Sequence, residues 1–149
     1  MSATSYSSRA YQAAAVGTAD PRHLVVMLFD AAVRFLHEAR EAMEKGDCEG
    51  QCSAIVRVQK ILSTLMSSLN LDIAPALGGG LWQLYNYIHS RLSEASMRDD
   101  LAILGEAIEL TTCLRDTWRQ AEIVCRNEER QPADEAPLLA AGGSHRGGA

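Results

Sequence analysis

The sequence predicts an all-α protein, an antiparallel four-helix bundle with a flexible N-terminal arm and a disordered C-terminal tail. In four separate stretches, apolar residues recur three and four positions apart, the spacing that places them on one face of a helix. Capping residues, glycines and prolines separate these stretches. No stretch shows the alternation of apolar and polar residues that is typical of a strand. Four helices joined by mostly short turns favour an antiparallel bundle.

The first two helices are predicted over residues 21–45 and 48–71. Asp20 is a favoured N-cap and Pro21 a favoured first helical residue, whereas Gly46 is the type of residue that follows a helix end. Asp47 is suited to cap the second helix. The apolar seam of that helix consists of Ile55, Val58, Leu62, Leu65 and Leu69.

The third and fourth helices are predicted over residues 81–97 and 100–126. A loop is expected at "DIAPALGGG", residues 72–80, because proline and three glycines interrupt the pattern. Either Asp99 or Asp100 starts the fourth helix. The core faces are predicted to hold Leu81, Leu84, Tyr85, Ile88, Leu92 and Ala95 on the third helix, and Leu101, Leu104, Ile108, Thr111, Leu114, Trp118, Ala121 and Cys125 on the fourth. The domain division is therefore an arm at 1–19, the bundle at 20–126 and a tail at 127–149.

The first helix has more apolar surface than a bundle helix needs. At 100° per residue its apolar positions fill an arc of roughly 220°, whereas a surface helix needs a stripe of about 100°. We expect one part of this arc to face the bundle, namely Leu24, Val25, Leu28, Ala32, Phe35 and Ala39. The other part forms a second stripe, predicted to lie outside the core, of Val26, Phe29, Val33 and Leu36.

Three partners are able to cover that second stripe. The arm at residues 1–18 is able to fold over it, a second copy of the chain is able to pack on it, or the helix of another protein is able to dock there. Burial of each large side chain contributes roughly 1.5–3 kcal/mol of stabilising free energy, before the loss of conformational entropy is subtracted. A stripe that stays exposed to solvent therefore favours aggregation. Smaller apolar surpluses flank the core faces of the third helix, at Trp82 and Tyr87, and of the fourth, at Ile103 and Leu110.

Composition and motifs exclude several classes of function. The 149 residues carry a net charge of −5 without a basic cluster, which argues against nucleic acid as a partner. No apolar run reaches the roughly 18–20 residues that span a bilayer, so no stable membrane insertion is expected. The N-terminus lacks a secretory signal, which indicates a cytoplasmic protein with reduced thiols.

Nothing in the sequence indicates an enzyme, a cofactor or a metal site. There is no P-loop and no GxSxG motif, and "GGG" at 78–80 lies between helices without a preceding strand. Cys48 and Cys52 have helical i, i+4 spacing, but no second pair completes a zinc site. We therefore predict a non-enzymatic protein that binds neither cofactor nor metal.

Five segments in order resemble the flagellin-specific export chaperones of the FliS family. They are "AYQ" at 10–12, "DPRHLVVMLFDAAVRFLHEA" at 20–39, "IVRVQKILSTLMSSLN" at 55–70, "LWQLYNYIHSRLSEAS" at 81–96 and "LRDTW" at 114–118. The resemblance implies a cytoplasmic bundle that binds the disordered C-terminal region of flagellin and blocks its premature polymerisation. It also implies delivery to the flagellar type III export gate, with the cytoplasmic domain of FlhA as a second partner and a mostly monomeric free state.

The resemblance also assigns roles to individual residues. Tyr11 matches the tyrosine of an N-terminal motif linked to capping of the binding surface and to gate docking. Asp30 matches the family aspartate, although Phe29 replaces a tyrosine before it, and Trp118 matches a family tryptophan that is expected in the core. The predicted partner-binding residues are Tyr11, Val26, Phe29, Val33, Leu36, Trp82, Tyr87, Ile103 and Leu110. The alternative function is a homo-oligomeric bundle that uses the surplus apolar face for self-association.

Overall fold

The computed structural model describes residues 20–69 and 75–130, which form four α-helices. We number them α1 (Pro21–Lys45), α2 (Cys48–Ser68), α3 (Pro75–Arg98) and α4 (Leu101–Arg130). The predicted N-terminal arm and most of the predicted tail lie outside the described residues.

Capping interactions fix the beginnings and ends of the helices. The Asp20 carboxylate accepts a hydrogen bond from the backbone N–H of Arg22, and Gly46 follows α1 in the left-handed conformation, with φ of 73°. Asp47 accepts from the N–H of Gly50 at 3.0 Å and starts α2. These three caps confirm the predictions, because each satisfies backbone groups that have no partner inside the helix.

The turn between α3 and α4 uses both of the predicted aspartates. Asp99 adopts a positive φ of 50°, and its carboxylate accepts a hydrogen bond of 3.0 Å from the side chain of Gln51 on α2. Asp100 is the N-cap of α4, since it accepts from the N–H groups of Ala102 and Ile103 at 2.9 and 3.1 Å. Asp100 therefore starts the fourth helix.

Each helix packs against two neighbours, in the cyclic order α1, α2, α3, α4 and back to α1. Consecutive helices lie side by side, and the described connections, at residues 46–47 and 99–100, are short. Neighbouring helices are therefore antiparallel. The predicted fold class, an all-α antiparallel four-helix bundle, is confirmed for the described part of the chain.

The core is mostly aliphatic, with two aromatic side chains at its centre. The rings of Phe29 and Tyr85 lie 5.9 Å apart at 57°, a tilted arrangement that aromatic pairs favour. The Tyr85 hydroxyl accepts a hydrogen bond of 3.1 Å from Trp118 Nε1, so its polar atom is satisfied inside the core. The other fully buried large side chains include Leu36, Val58, Leu62, Ile88, Leu92, Leu104 and Thr111.

The rotation of α1 differs from the prediction. Phe29 and Leu36 are completely buried in the core, and Val26 and Val33 are only 3% and 6% exposed. Residues that were expected to face the bundle, Leu24, Val25, Leu28 and Phe35, are instead half-buried. The prediction that Val26, Phe29, Val33 and Leu36 lie outside the core is therefore wrong. The helix is turned by roughly 70° about its axis relative to the expected position, at 100° per residue.

Helix α3 begins earlier than predicted, and α4 ends later. α3 starts at Pro75, so the last six of the nine residues of the expected loop, including all three glycines of "GGG", are helical. Proline suits the first turn of a helix because its missing N–H has no partner there. α4 continues to Arg130, so its last turn includes residues that were assigned to the tail. Leu101 and Ala121, predicted to be core residues of α4, are exposed.

Candidate functional site

The edge between α1 and α4 is closed by ion pairs. Asp30 on α1 accepts from Arg119 at 2.9 Å and lies 3.7 Å from Arg115. One to two turns away, His23 Nδ1 lies 2.9 Å from the carboxylate of Glu122, whose side chain is only 7% exposed. Arg22 contacts Glu129 near the end of the bundle. This edge presents charged groups that already satisfy one another.

The edge between α1 and α2 carries apolar side chains that are only half covered. Leu24, Leu28 and Phe35 are spaced four and seven residues apart and therefore form one stripe along α1. The guanidinium of Arg57 on α2 lies 5.4 Å from the centroid of the Phe35 ring, so this stripe faces α2. Ile61, one turn further along α2, is also half-buried. This stripe is the part of the α1 surplus that remains accessible.

The edge between α2 and α3 exposes a tryptophan. Gln59 on α2 donates to the hydroxyl of Ser93 at 2.8 Å and to the carbonyl of His89 at 3.1 Å, which fixes the antiparallel register. In this register Trp82, which is 40% exposed, lies level with the half-buried Met66 of α2. The result is an apolar surface at the end of the bundle where α3 begins.

The edge between α3 and α4 combines a polar cluster with apolar side chains. The Tyr87 hydroxyl donates to Glu106 at 2.5 Å, and Arg91 contacts the same carboxylate at 3.4 Å. The hydrogen bond to the carboxylate raises the pKa of the Tyr87 hydroxyl and lowers the pKa of Glu106. Tyr87 is 46% exposed, and Leu110 on α4 is half-buried. This edge therefore offers apolar contact area beside groups that form hydrogen bonds.

The structure divides the predicted partner-binding residues into three groups. Five of them are buried in the core of the bundle, namely Val26, Phe29, Val33, Leu36 and Ile103. Trp82, Tyr87 and Leu110 lie on the α2–α3 and α3–α4 edges. Tyr11 lies outside the described residues. The sequence reasoning missed Leu24, Leu28 and Phe35 as surface residues, although their own four- and seven-residue spacing was visible.

The described residues contain no group of three or more His, Cys, Asp or Glu side chains arranged to hold a metal ion. Cys48, Cys52 and Cys113 are exposed thiols, and Cys125 is half-buried. None of the helices in the described ranges is both long and apolar enough to cross a membrane. The groups that the described surface presents to a partner are apolar edges, aromatic side chains and paired charges.

A helical bundle with three apolar edges and one ion-paired edge is suited to bind amphipathic helices, because such helices lay an apolar face into grooves of this kind. Comparison with known proteins specifies the class further. A model of the family described as "Flagellar protein FliS" matches residues 2–124. The chain is 33% identical to the flagellar secretion chaperone FliS of Bacillus subtilis over 112 residues. These residues cover 75% of this chain and 83% of the relative.

Two further relatives carry similar names. The flagellar secretion chaperone FliS of Salmonella typhimurium is 31% identical over 107 residues, which are 71% of this chain and 79% of the relative. The flagellar secretion chaperone FliSB of Pseudomonas aeruginosa is 30% identical over 105 residues, which are 70% and 83%. The chain belongs to the FliS family, and this membership supports a chaperone role in flagellar export.

Proposed function

We propose that this protein is a cytoplasmic, non-enzymatic chaperone that binds the C-terminal segment of flagellin, blocks its premature polymerisation and aids its delivery to the export gate. One observation carries the proposal: three of the four edges of the bundle present half-exposed apolar side chains. A disordered client segment that folds into short amphipathic helices is able to follow these edges around the bundle. The ion-paired α1–α4 edge is the least suited to this role, because a client would have to separate charges that already pair there.

Calorimetric titration of the full chain with a synthetic C-terminal segment of flagellin tests this proposal. We expect one segment per chaperone, a negative heat-capacity change from apolar burial and a gain of helix in far-UV circular dichroism. Sedimentation of the free chain should show a monomer, in contrast to the homo-oligomeric alternative. Absence of binding at tens of micromolar would contradict the proposal.

Matched variants locate the binding surface. Trp82→Asp places a charge on the α2–α3 edge and should weaken client binding at least tenfold, since tryptophans are frequent anchors of interfaces. Ile123→Asp is the control, because Ile123 is similarly exposed, at 46% against 40% for Trp82, but follows Glu122 of the ion-paired edge. Both variants should stay folded. Equal affinities of the two variants would remove the α2–α3 edge from the proposed surface.

The resemblance of Tyr11 to a family motif supports a role in the later step, with the cytoplasmic domain of FlhA as partner. Tyr11→Ala should reduce secretion of flagellin and leave the affinity for the client segment unchanged or higher. If the arm also competes with the client for the apolar surface, deletion of residues 2–17 should tighten client binding. Weaker binding after the deletion would argue against competition by the arm.

A further inference from the structure

Two arginine side chains from different helices lie over the ring of Phe35. The guanidinium carbon of Arg34, on α1, is 5.3 Å from the ring centroid, and that of Arg57, on α2, is 5.4 Å away. Phe35 is half-buried, and both arginines are exposed. We call these three residues the Phe35 clamp. The ring attracts each cation, so both guanidinium groups are held beside the same side chain.

The Phe35 clamp has no carboxylate partner among residues 20–69 and 75–130. No Asp or Glu oxygen in these ranges comes within 4.0 Å of either guanidinium. Asp30 lies one turn from Arg34 on α1, but it is engaged by Arg115 and Arg119. The arginines of the α1–α4 edge, in contrast, each contact a carboxylate. In a chain with a net charge of −5, the two guanidinium groups at Phe35 therefore keep N–H donors that no carboxylate of the described residues occupies.

The apolar stripe of the α1–α2 edge continues directly from the Phe35 clamp. Leu28 lies seven residues before Phe35 on α1, and Leu24 four residues before Leu28, so the stripe extends roughly 16 Å at 1.5 Å per residue. Ile61 borders it from α2. A ligand that fits both parts has an acidic side chain at one end and apolar side chains along the next two to three turns of a helix.

We propose that the Phe35 clamp binds an acidic side chain of the flagellin segment and thereby fixes where that segment lies along the α1–α2 edge. This inference rests on the proposed function and adds to it the chemistry of one subsite. The planar guanidinium groups offer several N–H donors to a carboxylate. The aromatic ring and the stripe beyond it receive the apolar residues that follow in the client helix. Specificity then comes from the charge and affinity from apolar burial.

The test is a double-mutant cycle measured by calorimetry on the full chain. Arg57→Gln and Arg34→Gln should each weaken binding of the synthetic C-terminal flagellin segment about tenfold, the effect of losing one partly exposed charge-assisted contact. Lys60→Gln is the control, because it removes the same charge from the exposed surface of α2, one turn from Arg57 but outside the clamp. We expect the control to change the affinity less than twofold. Far-UV circular dichroism verifies that all variants are folded.

A segment in which Asn and Gln replace the acidic residues completes the cycle. It should bind the wild-type chain about tenfold more weakly, and its affinity should not respond to Arg57→Gln. Arg57→Lys should restore only part of the lost affinity, because lysine keeps the charge without the planar group.

Three results would overturn the Phe35 clamp. Equal effects of Arg57→Gln and Lys60→Gln would reduce it to general electrostatic attraction, and an unchanged affinity of the neutral segment would show that no acidic contact exists. Self-association that Arg57→Gln abolishes would assign the clamp to a second copy of the chain. These three results concern the Phe35 clamp alone and do not contradict the proposed binding of flagellin. Absence of any client binding would instead refute the proposed function, and the clamp with it.

Discussion

Replacement of Phe29 by alanine tests the central consequence of the observed rotation of α1. The Phe29 side chain is completely buried, and its ring packs against the ring of Tyr85 at a centroid distance of 5.9 Å. A residue on a separate binding face would be dispensable for folding. A residue at the centre of the core is required for folding. The free energy of unfolding of the Phe29→Ala variant therefore distinguishes a core position from a position on a binding face.

The expected loss is large. Phe-to-Ala substitutions at buried sites cost roughly 3–5 kcal/mol, because the lost transfer energy and the cavity add together. About 0.5–1.5 kcal/mol of this belongs to the aromatic pair with Tyr85. Domains of this size are stable by roughly 5–15 kcal/mol. Phe29→Ala should therefore leave a bundle close to the limit of folding, and Phe29→Asp, which buries a charge, should not fold.

Urea unfolding followed by circular dichroism at the helix signal measures this loss. Tyr87→Ala is the control, since Tyr87 is an aromatic residue of the same bundle but 46% exposed, and it should cost less than about 1 kcal/mol. The urea dependence of the free energy should be similar in both variants. A Phe29→Ala variant within about 1 kcal/mol of the wild type would refute the assignment of this side chain to the core.

Three further predictions concern the helix ends. Hydrogen bonds from Arg22 lower the pKa of Asp20 from 3.8 to about 2, so the stabilising effect of the Asp20 carboxylate is complete above about pH 4 and is lost as the pH falls from about 4 to about 2. The Asp20→Asn variant should therefore show a smaller fall in the urea midpoint over that interval than the wild type. An equal fall in both proteins would contradict this prediction. Gly46→Ala should destabilise the bundle by about 1 kcal/mol in the same assay, because Gly46 has a φ of 73° that alanine adopts only with strain; a stabilised variant would show that the turn relaxes. Gly79→Ala and Gly80→Ala should each stabilise the protein by roughly 0.5–1 kcal/mol, since an added Cβ meets no atom within 4 Å and alanine favours the helix; a lower thermal midpoint would argue against a helix at these positions.

The sequence predicted the helices well where capping residues and apolar spacing agreed. Asp20, Gly46 and Asp47 mark their helix ends by local chemistry alone, and local chemistry is visible in one sequence. On α2 the apolar arc is narrow, so Ile55, Val58, Leu62 and Leu65 were correctly assigned to the core. A narrow stripe permits only one rotation of the helix.

The rotation of α1 was not predictable in the same way. Its apolar arc is wide enough to face the bundle in more than one orientation, and periodicity does not choose between them. The choice depends on contacts between helices. Asp30 and His23 meet partners on α4, and Phe35 meets Arg57 on α2. These pairs join residues far apart in the chain, and a single sequence does not reveal which side chains come together.

The start of α3 was missed because glycine has a low helix propensity. Three consecutive glycines predict a loop, but Gly78 is buried in the bundle and the helix begins at Pro75. Tertiary packing therefore outweighs local preference here.

On the surface of α3, Trp82 and Tyr87 were identified correctly as exposed, because they flank a well-defined core face that includes Tyr85 and Ile88.

The run Gly78–Gly80 has a consequence for how the bundle moves. Each glycine in a helix interior costs roughly 1 kcal/mol relative to alanine, so the first two turns of α3 have a low free energy of local opening compared with the segment around Ile88 and Leu92, which are completely buried. Backbone amides there should exchange with solvent well before those at the bundle centre. Because Trp82 lies two residues after this run, we expect the edge that carries it to change its width without disturbing the core, so that segments of different bulk fit against the same scaffold.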